Sequence, residues 1–147
     1  MSKQQEADLI LKLYDLRREA TMRKARDWYF REFHPDSEAD IAQAMYSEQS
    51  GYLRMVTTYW DMAATLVNHG AIDLDMFNDA NGEQLAVFAK IELFLPALRN
   101  NLNAPQYLMN LEKLIDATPE GRQKTAMVRE RLKQMRAHLA ARRTAST

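Results

Sequence analysis

The 147-residue chain contains no cysteine, which excludes disulfides, thiolate nucleophiles and every zinc site built on sulfur. Glycine and proline are scarce, four of each, so collagen-like, mucin-like and low-complexity readings have no support. No apolar run is long enough for a membrane span or a signal-peptide core. The most apolar early stretch, Leu9 to Leu16, is interrupted by Lys12 and Asp15. Nor is there an excess of one charge, since twenty basic and twenty acidic side chains balance.

What remains is a composition 46% hydrophobic and 27% charged, globular and helix-leaning. The length is that of one domain, able to bury about 68–70% of its unfolded surface without a metal or cross-link. The zero net charge conceals segregation. Residues 17–31 carry six basic and two acidic side chains, residues 32–92 two basic and eleven acidic, and residues 119–147 eight basic and two acidic. Solvated helix faces are the simplest account of this pattern, and a docking surface is the alternative.

Nearly every stretch between turn signals has helical spacing. Gln4 to Phe33 lacks glycine and proline and predicts one helix of about 45 Å, with residues 1–16 as its N-terminal part. Its apolar seam changes face midway, from Leu9, Leu13, Leu16 and Ala20 to Met22, Ala25, Tyr29 and Phe33, a rotation of roughly 200°. His34-Pro35-Asp36-Ser37 stops it, and a second helix follows from Glu38 to Ser47. A third opens at Ser50 or Gly51 and ends at Asn68-His69-Gly70.

This third helix is apolar around more than half its circumference, with one row of Leu53, Val56, Trp60, Ala63 and Val67 and another of Tyr52, Met55, Tyr59, Met62 and Leu66. It should be central, with Trp60 in the core. Asp73 caps a short turn of helix that Asn81-Gly82 breaks. The next helix, Glu83 to Arg99, contains Pro96 and should kink near Glu92. Asn103-Ala104-Pro105 starts another through Ile115, and Thr118-Pro119 launches the last, to about Arg142, leaving 143–147 as a disordered tail. The expected fold is an all-α, single-domain helical bundle of about six to seven helices with long first and last helices, spanning 1–147.

Reaction centres are missing from this pattern. His34, His69 and His138 lack a ligand partner at the three- or four-residue offset, and the acidic run from Asp73 to Glu83 fits no calcium-loop register. No phosphate-binding glycine loop or glycine-flanked serine occurs. Neither a metal nor a cofactor is expected, and no catalytic residue is assigned. The best ligand-site candidates are Arg54, Thr58, Asp61 and Thr65, a polar stripe on the third helix that would matter if it lined a pocket instead of facing solvent. The last helix sets Val128, Leu132, Met135 and Leu139 at heptad spacing beside a basic face. With Leu9, Leu13 and Leu16 of the first helix, these are the candidate interface residues of a homodimer. Nucleic acid is disfavoured as a partner because no aromatic residue accompanies the basic cluster.

The stretch YWDMAATLVNHGAIDLDMF, then LFLPALRNN and PQYLMNLEKL, resembles a family of small, uncharacterised bacterial helical proteins defined only as a domain of unknown function. Gly70, Ile72, Asp73, Pro96, Arg99 and Tyr107 occupy the places of its pattern, and RREATMRKARDWYF resembles its basic entry helix. The resemblance covers about residues 17–115 and implies a fold without an activity. Many relatives carry an N-terminal membrane anchor, whereas this chain begins with a charged helix, which argues against a membrane role. The expectation is a non-enzymatic interaction or oligomerisation module of the bacterial cytoplasm, with a protein partner or a second copy as its occupant. The rival is a small-molecule-binding or enzymatic domain using the polar stripe.

Overall fold

The computed structural model describes residues 2–146, and these are helical with no strand. Nine α-helices are present among the described residues: α1 (Lys3–Arg17), α2 (Ala20–Arg31), α3 (Glu38–Met45), α4 (Ser50–Asn68), α5 (Leu74–Ala80), α6 (Glu83–Ile91), α7 (Leu95–Asn101), α8 (Met109–Ala117) and α9 (Gly121–Ser146). Helix starts follow local side-chain chemistry. Ser2 and Gln5 form a reciprocal capping box at α1, Ser37 accepts from the Asp40 amide at α3, and Asp73 accepts from the Met76 amide at α5. At the other end of α4, Gly70 takes a φ of 82°, the left-handed geometry that closes a helix.

Two helices stand where the sequence predicts a single one from Gln4 to Phe33. The chain breaks at Arg18-Glu19, where the Glu19 carboxylate accepts from the amides of Thr21 and Met22 and starts α2. The break reconciles the two seams, because Leu13 of α1 and Met22, Ala25 and Tyr29 of α2 can then enter the same core. Pro96 acts as expected: a 3-10 turn at Glu92–Phe94 separates α6 from α7, and the proline falls in the first turn of α7, where a missing amide costs little. The helix expected from Asn103 begins only at Met109, since Asn103 and Leu108 both adopt left-handed backbone. At the C-terminus α9 is helical through Ser146, so residues 143–146 of the expected tail are helix, and Thr147 lies outside the described residues.

One core cluster runs through the bundle, centred on α4. Its inner row, Leu53, Val56, Trp60, Ala63 and Val67, is buried throughout, while α2 and α8 pack on its flanks. Trp60 is 1% exposed and meets Tyr59 and Phe77 edge to face. Tyr29, fully buried, spends its hydroxyl on the Val87 carbonyl at 2.6 Å, which ties α2 to α6. The first half of α9 covers α6 and also touches α8. The turn joining α8 to α9 is tight enough that a Cβ at Gly121 would sit 1.8 Å from the Ile115 carbonyl oxygen. Only glycine permits that approach.

Trp60→Ala removes the largest fully buried side chain and should destabilise the fold by about 3–5 kcal/mol, measured as a lower denaturant midpoint. A loss below about 1 kcal/mol would mean that α4 is not the centre of the core.

Candidate functional site

The polar stripe of α4 is largely used by the fold. Helix α8 has no cap of its own, because its N-cap residue is Leu108, in left-handed geometry and with no side-chain acceptor. Asp61 supplies the cap from across the bundle, accepting from the Leu111 amide at 2.9 Å and from the Asn110 side-chain amide at 3.1 Å. A carboxylate there meets both the free amides and the positive end of the helix. Asn68, farther along the same stripe, donates to the Asn110 carbonyl at 3.0 Å. Thr58 and Thr65 turn their hydroxyls onto the Arg54 and Asp61 carbonyls, and Arg54 is exposed. A groove of about 460 Å³ lies beyond the stripe, lined by Val67, Asn68, His69, Leu74, Asn110, Lys113 and Ala117. Of the four candidate ligand residues, none lines it.

A second polar centre carries no sequence signature. Glu83 opens α6 and lies 13% exposed. The Arg26 guanidinium grips it in a forked pair, Nη2 at 2.7 Å and Nε at 2.9 Å, and Arg17 approaches to 3.6 Å. The Trp60 indole N–H points at the same carboxylate from 3.4 Å. Next to this centre, the Tyr59 hydroxyl donates to the Leu13 carbonyl, and burial pushes its pKa up to about 12. Helices α1, α2, α4 and α6 therefore meet on one shielded anion.

Part of the charge segregation is resolved within the chain by such pairs. Segment 17–31 contributes Arg17 and Arg26 to Glu83. From α9, Arg122 reaches Glu92, Glu112 and Asp116 at 2.7–3.0 Å, and Arg129 pairs with Glu92 while donating to the Ala89 carbonyl. Arg99 joins Glu112 at 2.9 Å and donates to the Tyr107 carbonyl, bracing the loop before α8. The bonds from Arg122 hold the Asp116 carboxyl below its ordinary pKa.

Lys90 and His34 form a junction at the C-terminal end of α2. The Lys90 ammonium lies over the Tyr29 and Phe30 rings and donates to the Phe33 carbonyl and to His34 Nδ1, the latter at 3.2 Å. His34 Nε2–H in turn donates to the Arg31 carbonyl at 3.0 Å, so the contacts select the neutral Nε2–H tautomer. Burial, with Arg136 adding to it, lowers the Lys90 ammonium to about 8. Burial and then the Lys90 charge hold His34 below its ordinary value.

The seven candidate interface residues divide sharply. Leu13 is in the core, Leu9, Val128 and Leu132 are half-buried, and Leu16, Met135 and Leu139 are exposed by 56%, 54% and 49%. From Glu130 onward every described residue of α9 except Leu132 is exposed. Arg131, Gln134, Met135, His138 and Leu139 line an open concavity of about 300 Å³ there. Among the described residues no group of three or more His, Asp or Glu side chains could hold a metal ion, and no helix is long and apolar enough to cross a membrane.

These features define a helical bundle braced by internal ion pairs, with a projecting terminal helix. The chain belongs to the family described as a domain of unknown function (DUF4760), which matches residues 4–118. The match takes in α1 to α8 and stops before α9. No curated protein and no solved structure matches the chain.

On a solvent-facing stripe Asp61→Ala would cost within about 0.5 kcal/mol, but the cap Asp61 gives α8 raises the expected loss to about 1–2 kcal/mol. Asp61→Asn keeps an acceptor and should lose less. Melts of the two variants check this, and a cost under about 0.5 kcal/mol for the alanine would disprove the capping role.

For His34 the sign follows from its lowered pKa. The unfolded chain takes up the proton first as pH falls, so stability declines as pH falls through the ordinary histidine value of 6.5. His34→Gln should flatten that part of the stability profile; an unchanged slope in the variant would assign the decline elsewhere.

Proposed function

We propose that the chain is a non-enzymatic helical interaction module, working in a bacterial cytoplasm, whose docking element is the distal half of α9. The observation that carries this reading is the contrast within one helix. Roughly its first two and a half turns are held by Arg122, the buried Thr125 and Arg129, whereas from Glu130 onward every described residue except Leu132 is exposed, Met135 and Leu139 among them. An isolated helix of that length is marginal in water unless something packs on its apolar side.

Oligomerisation is a second form of the same reading, supported by the exposed Leu11 and Leu16 on α1. Leu13 would add nothing to that surface, being spent in the core. The competing small-molecule reading draws on the groove beside Asn68 and Asn110, but Asp61, its best recognition group, already has both oxygens bonded to α8.

A photo-crosslinking side chain placed at Leu139 in the living cell should give a discrete adduct, and one at exposed Pro96 should not. Met135→Ser should remove the adduct while leaving the melting curve unchanged. Identical, diffuse labelling from both positions would defeat the module reading.

A further inference from the structure

We infer that the distal seam of α9 docks a helix of another protein whose apolar stripe is edged with carboxylates, and that it rejects a second copy of itself. The inference rests on the interaction-module reading and names the chemistry of the partner. The seam steps from Leu132 to Met135 to Leu139, spacings of three and four that place the side chains at the a and d positions of a heptad. On that register Arg131 falls at g, and Arg136 and Arg143 fall at e. Both edges of the seam are therefore cationic. Beyond Glu130 the chain has five basic residues and no acidic one, and among the described residues none of the five makes an ion pair.

That frame discriminates between occupants. In a parallel pair of identical helices g faces e of the partner, which sets Arg131 against Arg136; in an antiparallel pair e faces e, which sets Arg136 against Arg143. Either arrangement opposes like charges across the seam, an arrangement that selects against self-pairing. A helix with glutamate or aspartate at e and g meets attraction at both edges. The narrow seam suits this partner better than a bilayer, for which an interfacial helix presents a broad apolar face with Trp or Phe, and this segment contains no aromatic residue. Phosphate backbones would engage the cations and leave the apolar row uncovered.

The test uses the full chain and two labelled designed peptides, both with leucine at a and d, one with glutamate and one with lysine at e and g. Anisotropy titrations should show saturable binding of the glutamate peptide, weaker as salt rises, and none of the lysine peptide. Met135→Ser with Leu139→Ser, both at exposed positions, should weaken binding by about tenfold or more. Arg131→Glu with Arg143→Glu should transfer the preference to the lysine peptide, a gain that loss of folding cannot imitate. Four outcomes overturn the inference: equal binding of both peptides, no binding of either, a wild-type dimer that the serine variant dissolves, or serine-sensitive sedimentation with phosphatidylcholine vesicles containing phosphatidylserine. If any of these occurs while the cellular adduct at position 139 persists, the partner chemistry is wrong and the module reading stands. If the adduct is missing as well, the module reading falls with it.

Discussion

Everything in this bundle is arranged around the need to bury α4. A 19-residue helix that is apolar on most of its circumference cannot rest against one neighbour, so α2, α3, α6 and α8 surround it. The single strip of polar side chains left on α4 would then be a defect in the enclosure. Asp61 converts it into a joint, giving the exposed amides of α8 an acceptor that α8 itself lacks. The conformation of Leu108 is sustained in the same way: a buried leucine in left-handed geometry is costly, and it persists because both the core and the cap hold it.

The ion pairs extend that logic to the outside of the bundle. Basic residues come early and late in the chain and acidic ones in between, so pairing across the fold draws sequence-distant helices together. The shielded Glu83 is the densest of these meeting points. With forked guanidinium geometry and an indole N–H nearby, the carboxylate recovers much of the hydration it gives up. Apolar replacements of such centres are often as stable or more so, whereas removing one partner would leave a shielded charge uncompensated.

The legible parts of this fold are those specified by neighbours in sequence. Ser37, Asp73 and Gly70 cap or close helices through contacts a few residues away, and the inner row of α4 declared itself by spacing alone. The break at Arg18-Glu19 was also written in the sequence, as a seam that rotated midway, although continuous helix propensity concealed it. Asp61 and Glu83 were not legible in their roles, because their partners lie 50 and 57 residues away and a surface carboxylate has the same local context. On α9, heptad spacing picks out Val128 and Leu132, which are half-buried, and Met135 and Leu139, which are exposed. How much of α9 is covered depends on its packing against α6 and α8, which no local pattern contains.

The α8–α9 turn gives the terminal helix the mechanics of a lever. Gly121 lies so close to the Ile115 carbonyl that the turn has little room to flex, and the Arg129 contacts clamp the helix a little farther on. Beyond that fulcrum, residues 130–146 extend about 25 Å at helical rise. A tilt of about 5° at the clamp would carry the tip about 2 Å, a movement comparable with the helix shifts by which packed interfaces change state. Force applied to the arm would be delivered to Glu92, which sits between the two halves of the proline-interrupted helix and is also held by Arg122, so that a load at one end of the molecule is felt at the kink between α6 and α7.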